Sequence, residues 1–272
     1  MRAKQRLAQL ATHAIARAVP PPSRHLWERP SKVVGVDMHD AEQRGLLQTL
    51  RDRFKFEYDA FPRGAAGNPF LPLNNGWFEK VDAEMLYSIV RYVRPARIIE
   101  IGSGVTTFLS AAAVAKNHDE DHRYHCSFMA YRSAPLRGSS ESLPRALFQQ
   151  LEAGDILIVD SGDAAGTGFD VNLEIFEILP TLKPGVWIHF HDIFLPWEAP
   201  RSWTLDTRRY LNQQYLLQAF LSFHTSFEIQ WGSYYMLQTH PRLLEQAFAS
   251  CGENVAPPDT FLPGSFWIRR LA

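Results

Sequence analysis

The chain has 272 residues, of which 46% are hydrophobic, 21% charged and 12% aromatic. This length and composition can bury one sizeable core, which excludes a mini-protein and a disordered tail. The formal net charge of -1 and the isoelectric point near 6.8 argue against a broad cationic surface for nucleic acid, so the expected partner is a small molecule. Cys126 and Cys251 are too few for a disulfide framework, and no apolar run approaches the ~18 residues of a transmembrane segment.

The first 27 residues contain no Asp or Glu and combine basic side chains with apolar residues at helical spacing. The apolar positions are Leu7, Leu10, Ala11, Ala14, Ile15 and Ala18, and Pro20-Pro21-Pro22 ends the pattern. This predicts a helix that packs on its own domain or on a partner subunit of a homo-oligomer. A transit peptide and a membrane-surface helix are the alternatives. The continuous apolar centre of a secretory signal is missing, so we expect a cytoplasmic location.

Residues 23 to 75 show a helical pattern only near residues 41 to 55, and we interpret them as a cap. From residue 82 onwards, helical patterns alternate with short apolar runs that end in Gly or Asp, which is typical of α/β proteins. The sequence therefore predicts an N-terminal helical extension and cap, residues 1–75, followed by an α/β domain, residues 76–272.

The α/β part yields a predicted order of helices and strands. Strands are expected over residues 97–101, 124–131, 156–160, 186–190, 227–231 and 265–271, and helices over residues 82–91, 106–115, 143–152, 170–182 and 207–223. Continuous apolar runs indicate strands that are covered on both faces. The irregular segment between the last two strands favours an antiparallel pair. The predicted fold is a Rossmann-like α/β fold with an open, mostly parallel sheet, an antiparallel last strand and an N-terminal helical extension.

The segment Glu100-Ile101-Gly102-Ser103-Gly104 links the first strand to a helix, as in nucleotide-binding turns. Glycines there adopt conformations that are costly for other residues, and they keep side chains away from a ligand. The third glycine of the dinucleotide spacing is missing, because Thr107 stands at that position. Glu100 would repel a pyrophosphate, but it can accept hydrogen bonds from a ligand amine or orient the loop. The pattern favours S-adenosylmethionine over NAD, and an ordinary strand-to-helix turn is the alternative.

With these residues in place, the chain resembles the class I S-adenosylmethionine-dependent methyltransferases, and among them bacterial O-methyltransferases that act on sugars and natural products. The resemblance covers residues 70 to 271. It is carried, in order, by residues 75–78 with 81–84, 97–104, 154–161, 188–194 with 196–198, and 212–217. It implies that residues 76–272 form a methyltransferase-like domain.

The resemblance also implies where the cofactor binds. Glu100, Gly102, Ser103 and Gly104 would line the methionine end of S-adenosylmethionine, and Asp160 would also contact the cofactor. In open α/β sheets, ligands bind at the carboxyl ends of the strands, where these residues are expected to lie.

Two carboxylates, Asp160 and Asp192, follow adjacent predicted strands at this edge. They could hold a divalent cation such as Mg²⁺, which would orient a substrate hydroxyl and lower its pKa. Asp163 adds a third carboxylate to this predicted metal site. Alternatively, these aspartates cap turns or form salt bridges.

His191, next to Asp192 in the predicted catalytic pair, is the candidate general base, because imidazole titrates near neutral pH. Strand alternation places His189 and His191 on the face opposite to Asp192. A buried, hydrogen-bonded histidine is the competing interpretation for both. Trp197 and Trp203, in the loop beyond Asp192, could wall an acceptor pocket or plug the end of the sheet.

The chain departs from the family pattern after its second predicted strand. Methyltransferases of this class usually end that strand with an acidic residue that bonds the ribose of the cofactor, but residues 123–140 contain no Asp or Glu. Met129 or Ala130 occupies the expected place. The missing charge-assisted hydrogen bond predicts cofactor binding weaker by about one to two orders of magnitude. The link from Tyr131 to Asp155 is also too short for the usual third strand with both flanking helical segments.

The sequence thus supports two functions. The first is transfer of a methyl group from S-adenosylmethionine to a hydroxyl of a small molecule, such as a sugar or a secondary metabolite. The second is a methyltransferase-like domain that has lost the cofactor and serves as a binding or assembly partner. NAD-dependent oxidoreduction ranks third, because the third glycine and the acidic ribose residue are both missing.

Overall fold

The structure is a computed structural model that describes residues 23–62, 78, 80–131, 145–160, 170–207, 209, 211–252 and 262–272. The predicted N-terminal helix over residues 7–18 lies outside the described residues, and so does Asp163. No helix within the described ranges is both long enough and apolar enough to cross a bilayer.

The described strands form one open sheet. They are β1 Arg97–Ile101, β2 Ser127–Tyr131, β3 Ile156–Val159, β4 Trp187–Phe190, β5 Phe227–Gly232 and β6 Phe266–Arg270, in the spatial order β2-β1-β3-β4-β6-β5. Strands β1 to β4 pair in parallel, whereas β6 runs antiparallel to both of its neighbours, β4 and β5. The predicted open, mostly parallel sheet with an antiparallel last strand is confirmed.

Helices cover both faces of this sheet. They are α1 Asp40–Tyr58, α2 Asp82–Val93, α3 Val105–Glu120, α4 Arg145–Phe148, α5 Asp170–Leu173, α6 Arg201–Leu205, α7 Gln213–Leu221, α8 Ser233–Thr239 and α9 Pro241–Ala247. One face of the sheet packs against α1, α2, α3, α8 and α9. The other face packs against α4, α5 and α7. Since successive strand residues point to opposite faces, the inner strands β1, β3 and β4 are buried on both sides, which explains their continuous apolar sequences.

Several helices differ from the sequence prediction. The predicted helix over residues 207–223 is wrong at its start, because α6 ends at Leu205 and α7 begins only at Gln213. The predicted helix over residues 170–182 begins as α5, but it continues as a π-helical turn over Glu174–Ile178 and a 3-10 turn over Leu179–Thr181. Of the helix expected over residues 143–152, the described part is helical only in α4. Helices α8 and α9 lie between β5 and β6, where the sequence predicts no helix.

Strand β2 is an edge of the sheet among the described residues. Residues 132–144, which follow it, lie outside the described part, and residues 145–155 contain α4 but no strand. The prediction that this link is too short for a further strand with both helical segments therefore stays a prediction.

The N-terminal segment passes around the β5 edge of the sheet. Val33 packs into the core on the face of α7, whereas Leu50 of α1 packs into the core on the opposite face. The indole N–H of Trp27 donates a hydrogen bond to the carbonyl of Ala199, 2.7 Å away, in the loop that follows β4. The predicted cap therefore shares its core with the α/β part. Residue 76, where the predicted domain begins, lies outside the described residues, and the boundary stays a prediction.

Candidate functional site

The strand order reverses between β1 and β3. The chain runs from β1 outwards to β2 and then returns to place β3 on the other side of β1. In open α/β sheets, ligands bind at such a switch point, outside the carboxyl ends of the strands. Gly102 follows β1 and Asp160 follows β3, and the Asp160 N–H donates to the carbonyl of Ile101 at 2.8 Å. These two strand ends define the candidate site.

The turn after β1 has the backbone that its glycines predict. Gly102 has a φ of 99°, in the left-handed region that favours glycine. The N–H groups of Gly102 and Ser103 both donate to the carbonyl of Tyr131, at 2.8 and 3.1 Å. A Cβ atom placed on Gly104, just before α3, would meet no atom within 4 Å. The turn is therefore fixed on the side of β2 and leaves open space beside Gly104.

Glu100 lies beneath this turn and is completely buried. Its carboxylate accepts hydrogen bonds from the hydroxyl groups of Thr106 and Thr107, the latter at 2.6 Å. Thr107 Oγ1 in turn accepts the N–H of Gly104 at 3.1 Å. Burial raises the pKa of Glu100, and the two threonine hydroxyls oppose that shift. These contacts fit the loop-orienting role, whereas direct contact between Glu100 and a cofactor stays a prediction.

A cluster of charged side chains lies at the ends of β3 and β4. His191 is buried, with Nδ1 3.7 Å from Asp160 Oδ1 and 3.6 Å from Asp192 Oδ1. On the other side of the ring, Nε2 lies 3.5 Å from Oδ2 of Asp82, the first residue of α2. The structure thus brings together the predicted residues Asp160, His191 and Asp192, and it adds Asp82.

The carboxylates around His191 determine its charge. Burial lowers the pKa of His191, but Asp192, Asp82 and Asp160 outweigh it and raise the pKa to about 10. The imidazole is therefore protonated at neutral pH, and it can accept a proton only after it has lost its own. A role as general base requires this deprotonated form.

Asp192 occupies a strained position and has a cationic partner. Its φ of 59° lies in the left-handed region, which aspartate tolerates better than most residues. Its Oδ2 accepts a hydrogen bond of 2.8 Å from the guanidinium of Arg209. The Arg209 guanidinium also lies over the Trp203 ring, 4.4 Å from its centroid. Arg209 lies between α6 and α7, where the predicted helix is interrupted, and this break brings Arg209 to the candidate site.

His189 lies deeper in the sheet than His191. It is completely buried, its Nε2 lies 2.8 Å from Ser265 Oγ, and burial lowers its pKa well below the usual value. Its ring packs against Trp267, with 4.8 Å between the centroids. His189 is therefore neutral at physiological pH and enclosed by the core.

Two of the three predicted metal ligands, Asp160 and Asp192, lie within the described residues. Within the described ranges, no group of three or more His, Cys, Asp or Glu side chains is arranged to hold a metal ion. Asp160 and Asp192 face the His191 ring, and Asp163 lies outside the described residues. A protonated imidazole already compensates the two carboxylates, so the described arrangement does not by itself favour Mg²⁺.

The loop beyond Asp192 is anchored by aromatic packing. Phe194 is completely buried and makes edge contacts with Trp203 and Tyr234, with centroids 5.5 and 5.4 Å apart. Trp197 is half-buried and packs against Tyr234 at 5.9 Å. These contacts support the interpretation that the tryptophans cover the end of the sheet. Their predicted contact with an acceptor remains untested.

Sequence reasoning missed three contributions to the site. It gave Asp82 no role in the site, did not consider Arg209, and did not pair Glu100 with the threonines of α3. Asp82 and His191 are 109 positions apart in the sequence, and only the packing of α2 on the sheet brings them together. The Thr106-Thr107 pair, one residue beyond the glycine turn, was the available local signal.

A separate cavity of about 360 Å³ lies at the β5 edge, between the N-terminal segment and the start of β5. Its lining includes Gly35, Asp37, Phe223 and Ile229. In the sheet, β4 and β6 separate this cavity from β1 and β3, so it is distinct from the candidate site.

Comparison with known proteins gives limited similarity. No family model matches the chain. An uncharacterized protein of Archaeoglobus fulgidus is 32% identical over 81 residues, which cover 29% of this chain and 36% of that protein, so the match spans about a third of the relative's length.

Two solved structures are also similar to the chain. The O-methyltransferase TomG of Streptomyces achromogenes, which is involved in tomaymycin synthesis and was solved with SAM, is 11% identical over 83% of this chain and 89% of its own, with a TM-score of 0.37. The O-methyltransferase of Bacillus cereus, solved with SAH, is 10% identical over 84% and 90%, with a TM-score of 0.34. TM-scores this low carry no argument about function.

Proposed function

We propose that the chain is an S-adenosylmethionine-dependent methyltransferase that methylates a hydroxyl group of a small molecule, such as a sugar or a secondary metabolite. One observation carries the proposal. The glycine turn after β1 and the Asp160, His191 and Asp192 cluster after β3 and β4 open onto the same edge of the sheet, at the switch point where ligands of such sheets bind. The sequence resemblance over residues 70 to 271 supports it.

The turn fits the methionine end of the cofactor. The open space beside Gly104 admits a ligand close to the backbone, and Gly102 provides the sharp bend that this approach needs. Asp160 lies at the neighbouring strand end, where its carboxylate would accept a hydrogen bond from the amino group of the cofactor. When bound, S-adenosylmethionine supplies an electrophilic methyl group. The chain would hold the acceptor oxygen in line with that methyl group and exclude water from the site.

His191 is the proposed acceptor of the hydroxyl proton. In the transfer, the acceptor O–H bond and the bond between the methyl group and the cofactor sulfur break as the new O–CH₃ bond forms. The proton passes to a ring nitrogen of His191, and S-adenosylhomocysteine is the leaving group. Nδ1 is the nitrogen that faces Asp160 and Asp192 at the carboxyl edge. Because the pKa of His191 is raised to about 10, only a small fraction of the ring is free to act at neutral pH. The proposed rate therefore rises with pH up to about 10.

Mg²⁺ at Asp160, Asp192 and Asp163 remains a prediction, and no step above depends on it. If a divalent cation bound between Asp160 and Asp192, it would repel the protonated His191 ring.

Cofactor binding is tested by calorimetry and thermal unfolding of the full chain with S-adenosylmethionine and S-adenosylhomocysteine. We expect a saturable heat and a rise in the melting temperature, since a ligand that binds only the folded state stabilises it. The missing ribose carboxylate predicts a Kd that is about one to two orders of magnitude higher than that of a site with this carboxylate. If neither ligand gives heat or a thermal shift at about 1 mM, the proposal fails.

The place of binding is tested by Gly104→Leu. The new side chain would enter the open space beside the turn without displacing a neighbour, so the fold should persist while cofactor affinity falls about tenfold or more. Gly45→Leu is the matched control, because a Cβ there also meets no atom within 4 Å and Gly45 lies on α1, away from the turn. Equal affinity in the two variants would place the cofactor elsewhere.

The second candidate function is a cofactor-free domain that acts as a binding or assembly partner. It is favoured by the way Glu100 and the N–H groups of Gly102 and Ser103 already have partners within the chain. Under this alternative, the titrations would show no binding. Deletion of residues 1–22 would then change the oligomeric state seen by sedimentation, because the predicted basic helix would be the assembly element.

A further inference from the structure

Asp82 is a rigidly held carboxylate. It is only 1% exposed, and it begins α2. Its Oδ2 accepts the N–H of Gly264 at 2.7 Å, and its Oδ1 accepts the N–H of Ser265 at 3.0 Å, just before β6. Rotation of the carboxylate would leave a buried backbone N–H without an acceptor, which is costly. The orientation of Asp82 is therefore fixed by the backbone around it.

The fixed carboxylate faces one side of the His191 ring. Asp82 Oδ2 lies 3.5 Å from Nε2, while Nδ1 on the other side of the ring lies within 3.7 Å of Asp160 and Asp192. The Phe78 ring packs against the imidazole, with 4.9 Å between the centroids. One ring nitrogen thus faces a buried anchor, and the other faces the carboxyl edge of the sheet.

We propose that Asp82 is a positioning residue, which holds the His191 ring so that Nδ1 faces the carboxyl edge where the acceptor hydroxyl would bind. The identity of the acceptor rests on the proposed function. A half-turn of the ring about its Cβ–Cγ bond would exchange Nδ1 with a carbon atom, and the edge would lose its proton acceptor. A carboxylate on the far nitrogen prevents that half-turn, as the orienting carboxylate does in catalytic triads.

Asp82→Asn tests the proposal, with Asp155→Asn as the matched control. Asp155 is also 1% exposed, and it accepts the backbone N–H groups of Arg97 and Glu152, each at 2.8 Å, at the opposite end of the strands. Both substitutions remove one buried acceptor of a backbone N–H, so both should lower the melting temperature. Only Asp82→Asn changes the group that faces His191.

The readout is the long-range ¹H–¹⁵N spectrum of the full chain labelled at histidine, with the His191 signals assigned from His191→Gln. We expect Asp82→Asn to shift and broaden these signals, because the ring gains a second orientation, whereas Asp155→Asn leaves them as in the unsubstituted protein. His191 signals that are the same in both variants would overturn the proposal.

A measurement on the unsubstituted protein covers the case in which Asp82→Asn does not fold. If Asp82 holds Nε2–H, this proton exchanges slowly and gives a directly bonded ¹H–¹⁵N cross-peak. Absence of that cross-peak contradicts the proposal.

The role of Asp82 can be separated from the proposed function. Asp82 hydrogen-bonds the N–H groups of Gly264 and Ser265 and faces His191, so its role is decided by the His191 spectra and not by the affinity for the cofactor. If the unsubstituted protein binds no S-adenosylmethionine, the proposed function fails, and the His191 spectra still decide whether Asp82 positions the ring. If the cofactor binds and the spectra do not change, only the role of Asp82 is lost.

Discussion

The charge on His191 links the candidate site to the stability of the fold. Its pKa in the folded chain is raised to about 10 by three carboxylates, whereas an unfolded chain leaves it near 6.5. A group with a raised pKa stabilises the folded state fully below its unfolded pKa. That stabilisation disappears as the pH rises through the folded value. The relevant window therefore extends from about pH 6.5 to about pH 10.

We predict that the free energy of unfolding falls by about 4 kcal/mol between the two ends of this window, and that His191→Gln removes this part of the pH dependence. Urea unfolding at several pH values measures it. His240→Gln is the control, because His240 also contacts an aspartate, with Nε2 2.6 Å from Asp40 Oδ1, but lies outside the cluster. If both variants keep the same slope as the unsubstituted protein, His191 is not charged by its neighbours.

At the scale of elements, α1 decides whether the N-terminal part is a detachable cap. Leu50 of α1 is 1% exposed and packs in the same core as β1 and β3, whereas Phe56 on the same helix is 73% exposed. We expect Leu50→Ala to cost about 2–5 kcal/mol, since it leaves a cavity in the core. Phe56→Ala should cost at most about 0.5 kcal/mol. Both are measured by denaturant unfolding with a single transition.

A second, earlier unfolding transition, or a Leu50→Ala cost as small as that of Phe56→Ala, would favour a separate cap. Such a result would fit the predicted boundary after residue 75. A large cost in one transition would instead mean that α1 and the sheet unfold together.

The strands could be predicted from the sequence, and several helices could not. Inner strands such as Ile156–Val159 are apolar on both faces, so a short continuous run identifies them locally. The chain between α6 and α7 follows no such local rule. There Leu211 is buried and Arg209 reaches Asp192, and both contacts depend on distant parts of the fold. Helices α8 and α9 have seven residues each, too few for a periodic pattern to be clear.

The candidate site was also predictable only where it depends on the strands. Gly102 and Asp160 directly follow strands, and Asp192 lies two residues after β4, so their common edge follows from the predicted sheet alone. The charge of His191 was predictable only in part, because Asp192 and Asp160 follow predicted strands, whereas Asp82, which also raises the pKa of His191, arrives on α2. The loop-orienting contacts of Glu100 depend on side-chain rotamers, which spacing in the sequence does not specify.

At the scale of the whole molecule, two places compete as the ligand site. The β5-edge cavity of about 360 Å³ falls in the usual range of small-molecule pockets, so its volume alone is adequate. The switch point between β1 and β3 instead offers the glycine turn and the Asp160, His191 and Asp192 cluster. Chemistry favours the second place, because the open space beside Gly104 and the His191 ring, which can accept a hydroxyl proton once it is deprotonated, lie at the same edge of the sheet.

Hydrogen exchange with and without S-adenosylhomocysteine distinguishes the two places. We predict slower amide exchange in residues 102–107 and at Asp160, because a bound ligand closes the space beside Gly104 and reduces local opening of the turn. Residues 35–39 and 223–229, around the other cavity, should exchange at unchanged rates and serve as the internal control. Protection confined to those control segments would show that the ligand binds at the β5 edge, and the carboxylate cluster would then have no part in holding the cofactor.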